Sequence, residues 1–194
     1  MKKFLFMAMM VTLLASCSKD DEDQSKVTYA TVQDIQGTWT FQNPLFTDVI
    51  VEGSDSKVVE GFNASLKEIC TSGKPNINIK ITFNADKTCD VLEFIDGVTH
   101  TRKGTYRVEN GRLYFKYKDL VVSDEAPLNT GLLEKRNDGI YFVWDKQALV
   151  DQLKDMIARP NDVLDSEREG NKTRLNQLTE KISKVYVPFK MVKN

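Results

Sequence analysis

Two spacings of apolar residues organise this chain. A two-residue spacing covers most of it. Gly37-Thr38-Trp39-Thr40-Phe41 alternates side chains across a pleat and predicts a first strand over 37–41. Ile77, Ile79, Ile81 and Phe83 alternate with Asn78, Lys80 and Thr82, and Asn84-Ala85-Asp86-Lys87 then turns the chain. Residues 88–95 make the next strand, Asp96-Gly97 a hairpin turn, 98–108 the returning strand, and Asn110-Gly111 a second such turn. Leu113, Phe115 and Tyr117 alternate with Arg112, Tyr114 and Lys116 in a long strand over 112–122. A loop through Pro127 leads to a short strand over 131–136, and Asp138-Gly139 turns into Ile140-Tyr141-Phe142-Val143-Trp144. The last strand, 185–192, contains Pro188, which marks an edge or a bulge.

A three-to-four-residue spacing interrupts this meander. Val58, Val59, Phe62, Leu66, Ile69 and Cys70 predict an amphipathic helix over 56–70, closed by Gly73 and Pro75. Asp145 is placed to cap a second helix, with Leu149, Leu153, Met156 and Ile157 on one face and Pro160 stopping it. A third amphipathic segment carries Leu175, Leu178 and Ile182 into the last strand. Residues 161–172 are polar and read as a mobile loop, and 49–51 reads as either a short strand or a loop. The sum is a mostly β domain with accessory helices. About eight strands joined by tight turns form an antiparallel up-and-down meander closing into a barrel, with one helix after the first strand and one or two before the last. Strand and helix do not alternate through the middle, which argues against a doubly wound parallel sheet.

The first residues follow neither spacing. Lys2 and Lys3 precede an uncharged run over 4–14, too short to span a bilayer, and Leu14-Ala15-Ser16-Cys17 follows directly. That tetrapeptide resembles the lipobox of bacterial lipoproteins. The resemblance implies removal of residues 1–16, a diacylglycerol thioether on Cys17 and an acyl chain on its new amino group. Three chains at ~0.8 kcal/mol per buried methylene make an effectively permanent anchor. Ser18-Lys19-Asp20-Asp21-Glu22-Asp23 comes next, and a short acidic run at this place resembles the surface-export signal of lipoproteins in one phylum of Gram-negative anaerobes. It implies the outer face of the outer membrane; the periplasmic face of the same membrane is the alternative, with the run as a solvated spacer. Domain organisation is then a signal peptide (1–16), a lipidated Cys with an acidic flexible tether (17–31), and a barrel domain (32–194).

Charge and chemistry narrow the function. Loss of Lys2 and Lys3 leaves 25 basic and 28 acidic residues, net −3, with no basic stripe beside aromatics, which excludes nucleic acid as a partner. The 194 residues suffice for one domain with a proper core. The single histidine, His100, lies in Val98-Thr99-His100-Thr101 and reads as a solvent-facing pleat position. No serine or cysteine stands in a nucleophile context, the acidic run 20–23 lacks the Gly and terminal Glu of a calcium loop, and there is no glycine-rich phosphate loop. No catalytic residue, metal site or cofactor is expected. Cys70 and Cys89 can form one disulfide in an oxidising compartment, or each can serve as a small buried hydrophobe. Trp39, Trp144, Phe83, Phe94, Phe115, Tyr141 and Phe142 suit a binding lumen or a packed core equally, because a barrel of about eight strands can be filled or hold one small ligand.

Gly37-Thr38-Trp39 resembles the Gly-x-Trp opening of the lipocalin and fatty-acid-binding superfamily, and Gly104-Thr105-Tyr106 resembles its mid-meander strand start. Joined to a lipobox, the pattern is similar to the lipocalin-like domain of bacterial outer-membrane lipoproteins, over about residues 35–192. Two departures stand out: helices interrupt the strand run, and the last strand has no arginine to stack on Trp39. The implied function is a membrane-anchored, non-catalytic lipoprotein. It would hold a small apolar or amphipathic ligand, or a glycan fragment, in or beside the barrel. The alternative is a structural lipoprotein with a solid barrel that contacts an envelope protein partner; a hydrolase is a remote third.

Overall fold

The structure is a computed structural model, which describes residues 27–43, 45–71, 78–95, 98–117, 129–158 and 165–194. Its elements are β1 (Thr28–Tyr29), α1 (Val32–Ile35), β2 (Gly37–Gln42), a 3-10 turn (Phe46–Asp48), β3 (Ile50–Gly53), α2 (Ser56–Thr71), β4 (Asn78–Phe83) and β5 (Thr88–Ile95). They continue with β6 (Val98–Glu109), β7 (Arg112–Tyr117), β8 (Asn129–Arg136), β9 (Gly139–Asp145), α3 (Lys146–Ala158), α4 (Asp165–Lys181) and β10 (Ile182–Lys193). Every pairing is antiparallel. Strands β2, β4, β5, β6, β7, β8, β9 and β10 pair in that order and β10 returns to β2, so eight strands close a barrel. This is the up-and-down, lipocalin-like arrangement with accessory helices that the turn pattern predicts. The two short strands extend occupied edges: β1 continues the β7 edge of β8, and β3 continues the β2 edge of β10.

Register decides which side chains meet inside. Phe83 lies opposite Cys89, Ile81 opposite Val91, Tyr106 opposite Phe115, and Phe142 opposite Phe189. These rings fill the described interior. Phe83 packs 4.8 Å from Tyr106 and 5.6 Å from Phe115, Phe142 sits 5.7 Å from Phe41, and Trp144 sits 4.7 Å from Phe189, all between ring centres. Gly104 is buried, and a side chain there would run into the Lys116 carbonyl on the neighbouring strand. Two residues on, Tyr106 donates its hydroxyl proton to the Asn84 carbonyl at 2.8 Å, tying β6 to the β4–β5 turn.

Three expectations are corrected. Residues 165–172 are the first half of α4, not a loop; 161–164 lie outside the described residues. The apolar spacing that would have revealed this half is missing, and local pairs such as Glu169–Lys172 at 2.6 Å support the helix instead. The last strand starts at Ile182 rather than 185, directly from α4. Pro188 is neither at an edge nor in a bulge. It pairs with Val143 on one side, and on the other it falls between the stretch of β10 paired with β3 and that paired with β2. Its missing N–H is tolerated at that change of partner. The undecided segment 49–51 contributes to β3, held by Val51 opposite Val185. The Asp96-Gly97 turn, the loop through Pro127 and the helix stops at Gly73, Pro75 and Pro160 lie outside the described residues.

Alternate connections of an up-and-down barrel share an end. The turns 84–87, 110–111 and 137–138, the entry through β1 and α1, and the end of β10 occupy one end; α2, α3 and α4 occupy the other. The entry end is shut tightly. Ile35 is fully buried and accepts the Trp39 indole N–H at 2.6 Å on its carbonyl, and Trp39 itself is 6% exposed. The Lys193 ammonium stands 5.5 Å from the Trp39 ring centre, so the last strand supplies a lysine where an arginine was missed.

Candidate functional site

The helical end is assembled from the two apolar stripes legible in the sequence. On α2, Val59 meets the backbone of Gly53 on β3, while Val58, Phe62 and Leu66 turn toward the other helices. On α3, Ala148 and Val150 are buried, while Leu149 and Leu153, one turn apart, are only partly covered. Helix α4 seats on α3 and β10 through Leu178, fully buried, and Leu175.

Polar contacts hold this end in place. Asp145 Oδ1 accepts the Ala148 N–H at 2.9 Å, the cap expected from the sequence, and the same carboxylate pairs with Arg112, whose Nη1 donates at 3.1 Å. Lys146 Nζ donates to the carbonyls of Thr179 at 3.1 Å and Ile182 at 2.6 Å, clamping the join between α4 and β10. Thr130 donates to Asp151 at 3.2 Å, tying α3 to β8.

Between α2 and the α3–α4 pair lies an open groove of about 540 Å³, within the size range of small-molecule clefts. Val58, Phe62, Leu66, Leu149 and Leu153 form its apolar floor. Its rim is polar, with Asp55 and Lys57 from the start of α2, Gln152 from α3, and Asn171, Arg174 and Gln177 from α4. Asp55 is engaged: its Oδ1 accepts the N–H groups of Lys57 at 3.1 Å and Val58 at 3.3 Å, capping α2. Lys57 and Arg174 have no charged partner among the described residues. Asn171 is 5% exposed and its amide takes no hydrogen bond among the described residues. Sequence reasoning missed Asn171 and Arg174, because they lie in a polar stretch without apolar spacing.

The residues singled out in the sequence do not converge. Cys17 and the acidic run 20–23 lie outside the described residues, as do the side chains of Cys70, Phe94 and His100. Cys89 is a buried free thiol inside the barrel, pushed up to about 11 by its burial and then by the charge of Asp90. Trp39, Phe83, Phe115 and Phe142 are core residues, whereas Tyr141 belongs to the outer face. There the Arg136 guanidinium covers its ring at 3.9 Å and its hydroxyl donates to Asp138 at 2.7 Å. Among the described residues no group of acids, histidines or cysteines has the geometry of a metal site, and no helix is long and apolar enough to cross a membrane. No family model, no curated protein and no solved structure matches this chain.

Proposed function

We propose that this protein is a non-catalytic lipoprotein, anchored through acylated Cys17 to the outer membrane with the domain facing outward. It binds a small amphipathic ligand beside its barrel rather than inside it. The observation that carries the reading is the groove between α2 and α3–α4, with its apolar floor and polar rim. The packed rings of the barrel support the choice of place, since they leave the described interior to side chains. Orientation supports it too. The ten residues from Cys17 to Lys26 reach at most ~35 Å, and the described residues begin at the end opposite the groove. An anchored domain then faces its closed end to the membrane and its groove to the medium.

Native mass spectrometry of the protein extracted from its own membrane tests this, beside the groove-blocking variant Leu153→Arg. The wild type is expected to retain a small molecule that the variant loses. No retained molecule, or equal retention by both, would overturn the reading. It would favour the second one, a structural lipoprotein with a solid barrel that docks an envelope protein, to which the packed interior also lends support.

A further inference from the structure

Resting on that reading, we propose that the amphipathic ligand of the groove is a short free peptide, bound as about two turns of helix with its apolar face down and carboxylates along both flanks. The size of the trough sets the number of turns. On α2 the lining runs from Lys57 to Leu66, a rise of about 13 Å, and on α4 from Asn171 to Gln177, about 9 Å. The walls select the helix. All three are helices, whose backbone groups bond within each helix. An extended peptide would find no strand edge to pair with there, and its own N–H and C=O groups would stay unmet over an apolar floor. A helix meets them internally and turns one apolar face toward Phe62, Leu149 and Leu153.

Two further features fit that occupant. Lys57 stands on the α2 wall and Arg174 on the α4 wall, both exposed and neither paired with an acid among the described residues. The acid of the rim, Asp55, is engaged with the backbone N–H groups that start α2. An apolar stripe with acids on both sides matches cations on both walls, whereas a chain with one head group meets only one of them. Gly61, also on the α2 wall, leaves the helix backbone bare between Lys57 and Leu66. A glycine inside a helix weakens it relative to alanine. Alanine would fit here, because apart from its own helix backbone and chain neighbours no described atom lies within 4 Å of where the added carbon would stand. Folding therefore does not call for Gly61, while close approach of a second backbone does.

The test uses the mature chain, residues 17–194 with Cys17→Ser to keep acyl groups out, titrated calorimetrically with three end-capped peptides of roughly twelve residues. The first has leucines at helical spacing flanked by glutamates, the second has lysines in place of the glutamates, and the third has the residues of the first in alternating order. Nile red, a neutral apolar dye, reports on the groove independently. The glutamate peptide is expected to bind at least about tenfold tighter than either of the others, to gain helical circular dichroism on binding, and to displace the dye. Leu153→Arg should abolish binding of both peptide and dye. Lys57→Glu with Arg174→Glu, both exposed substitutions, should reverse the preference in favour of the lysine peptide and leave the dye bound. Equal binding of the glutamate and lysine peptides, or a preference unmoved by the charge reversal, overturns the proposal, and so does tighter binding of the alternating peptide. Dye binding that Leu153→Arg abolishes, with no peptide bound, overturns the peptide and keeps the groove as a site. A dimer that Leu153→Arg disperses would put a second copy in the groove, with the same consequence. Binding of neither dye nor peptide overturns the groove reading itself.

Discussion

At the entry end of the barrel, Ile35 and Trp39 are almost completely buried, a hydrogen bond joins them, and Lys193 covers the indole. At the helical end, Phe62, Leu149 and Leu153 stay partly covered and line an open groove. The same chain thus completes its packing at one end and leaves it incomplete at the other. Groups that fold a protein meet their partners within it, and an end that withholds them suits contact with something else.

The largest test of that contrast is a pair of truncations. Trp39→Ala should cost ~3–5 kcal/mol, because it removes a buried indole and leaves a cavity beside Ile35. Leu153→Ala, on the groove floor, should cost less, ~1–2 kcal/mol, since the side chain is only partly buried and its loss opens no closed cavity. Chemical denaturation measures both. Equal losses would mean that the two ends are packed alike.

The division was only partly legible in the sequence. The strands were, because one-sided burial imposes a two-residue spacing and Asn110-Gly111 and Asp138-Gly139 mark their turns. Trp39 was legible for the same reason, down to Thr38 and Thr40 on the opposite face, where Thr38 meets Thr82 at 3.0 Å. The stripes of α2 and α3 were legible as apolar faces. That they flank a gap was not, because spacing reports which face is apolar and not what lies against it. The first half of α4 was invisible, since local pairs such as Glu169–Lys172 leave no apolar period. Lys193 over Trp39 was overlooked because only an arginine was sought.

A smaller effect probes the interior between the two ends. Burial holds the Cys89 thiol up to about 11, so the folded protein keeps its proton more tightly than the unfolded chain does. The stabilisation is complete below about pH 9 and is lost as the pH climbs from there through 11. A shift of this size corresponds to ~3 kcal/mol. Tyr106, also raised by its burial and then by the charges of Cys89 and Asp86, adds to the upper part of that slope. Denaturation between pH 8 and 11 should show the decline, and Cys89→Ala should flatten its lower part. In native protein the Cys89 thiol should resist a disulfide reagent at pH 8 and react after unfolding. Rapid modification of folded protein at this cysteine would show an interior more open than the packed rings imply.

The smallest effect belongs to the latch of the entry end. Asp34 Oδ1 pairs with Lys135 at 2.8 Å, while its other oxygen accepts the Thr31 N–H at 2.9 Å and the Thr31 hydroxyl at 2.8 Å. The Lys135 ammonium first, then the two Thr31 donors, hold the carboxyl down to about 2. Its folded value lies below its unfolded one, so the stabilisation is present above about pH 4 and lost as the pH falls through 2. Lys135 is half exposed, and water and salt screen the pair, so the realised contribution should stay below ~1 kcal/mol. Asp34→Asn should therefore lower stability slightly at pH 7 in low salt, less in high salt, and not at all once the pH is well below 2. The comparison with Trp39 sharpens on this point. If the latch variant cost as much as the indole, closure of the entry end would rest on charge, and it would fail at high ionic strength. If it costs only tenths of a kcal/mol, apolar burial of Ile35 and Trp39 closes that end, and the latch serves to set the angle at which α1 enters β2.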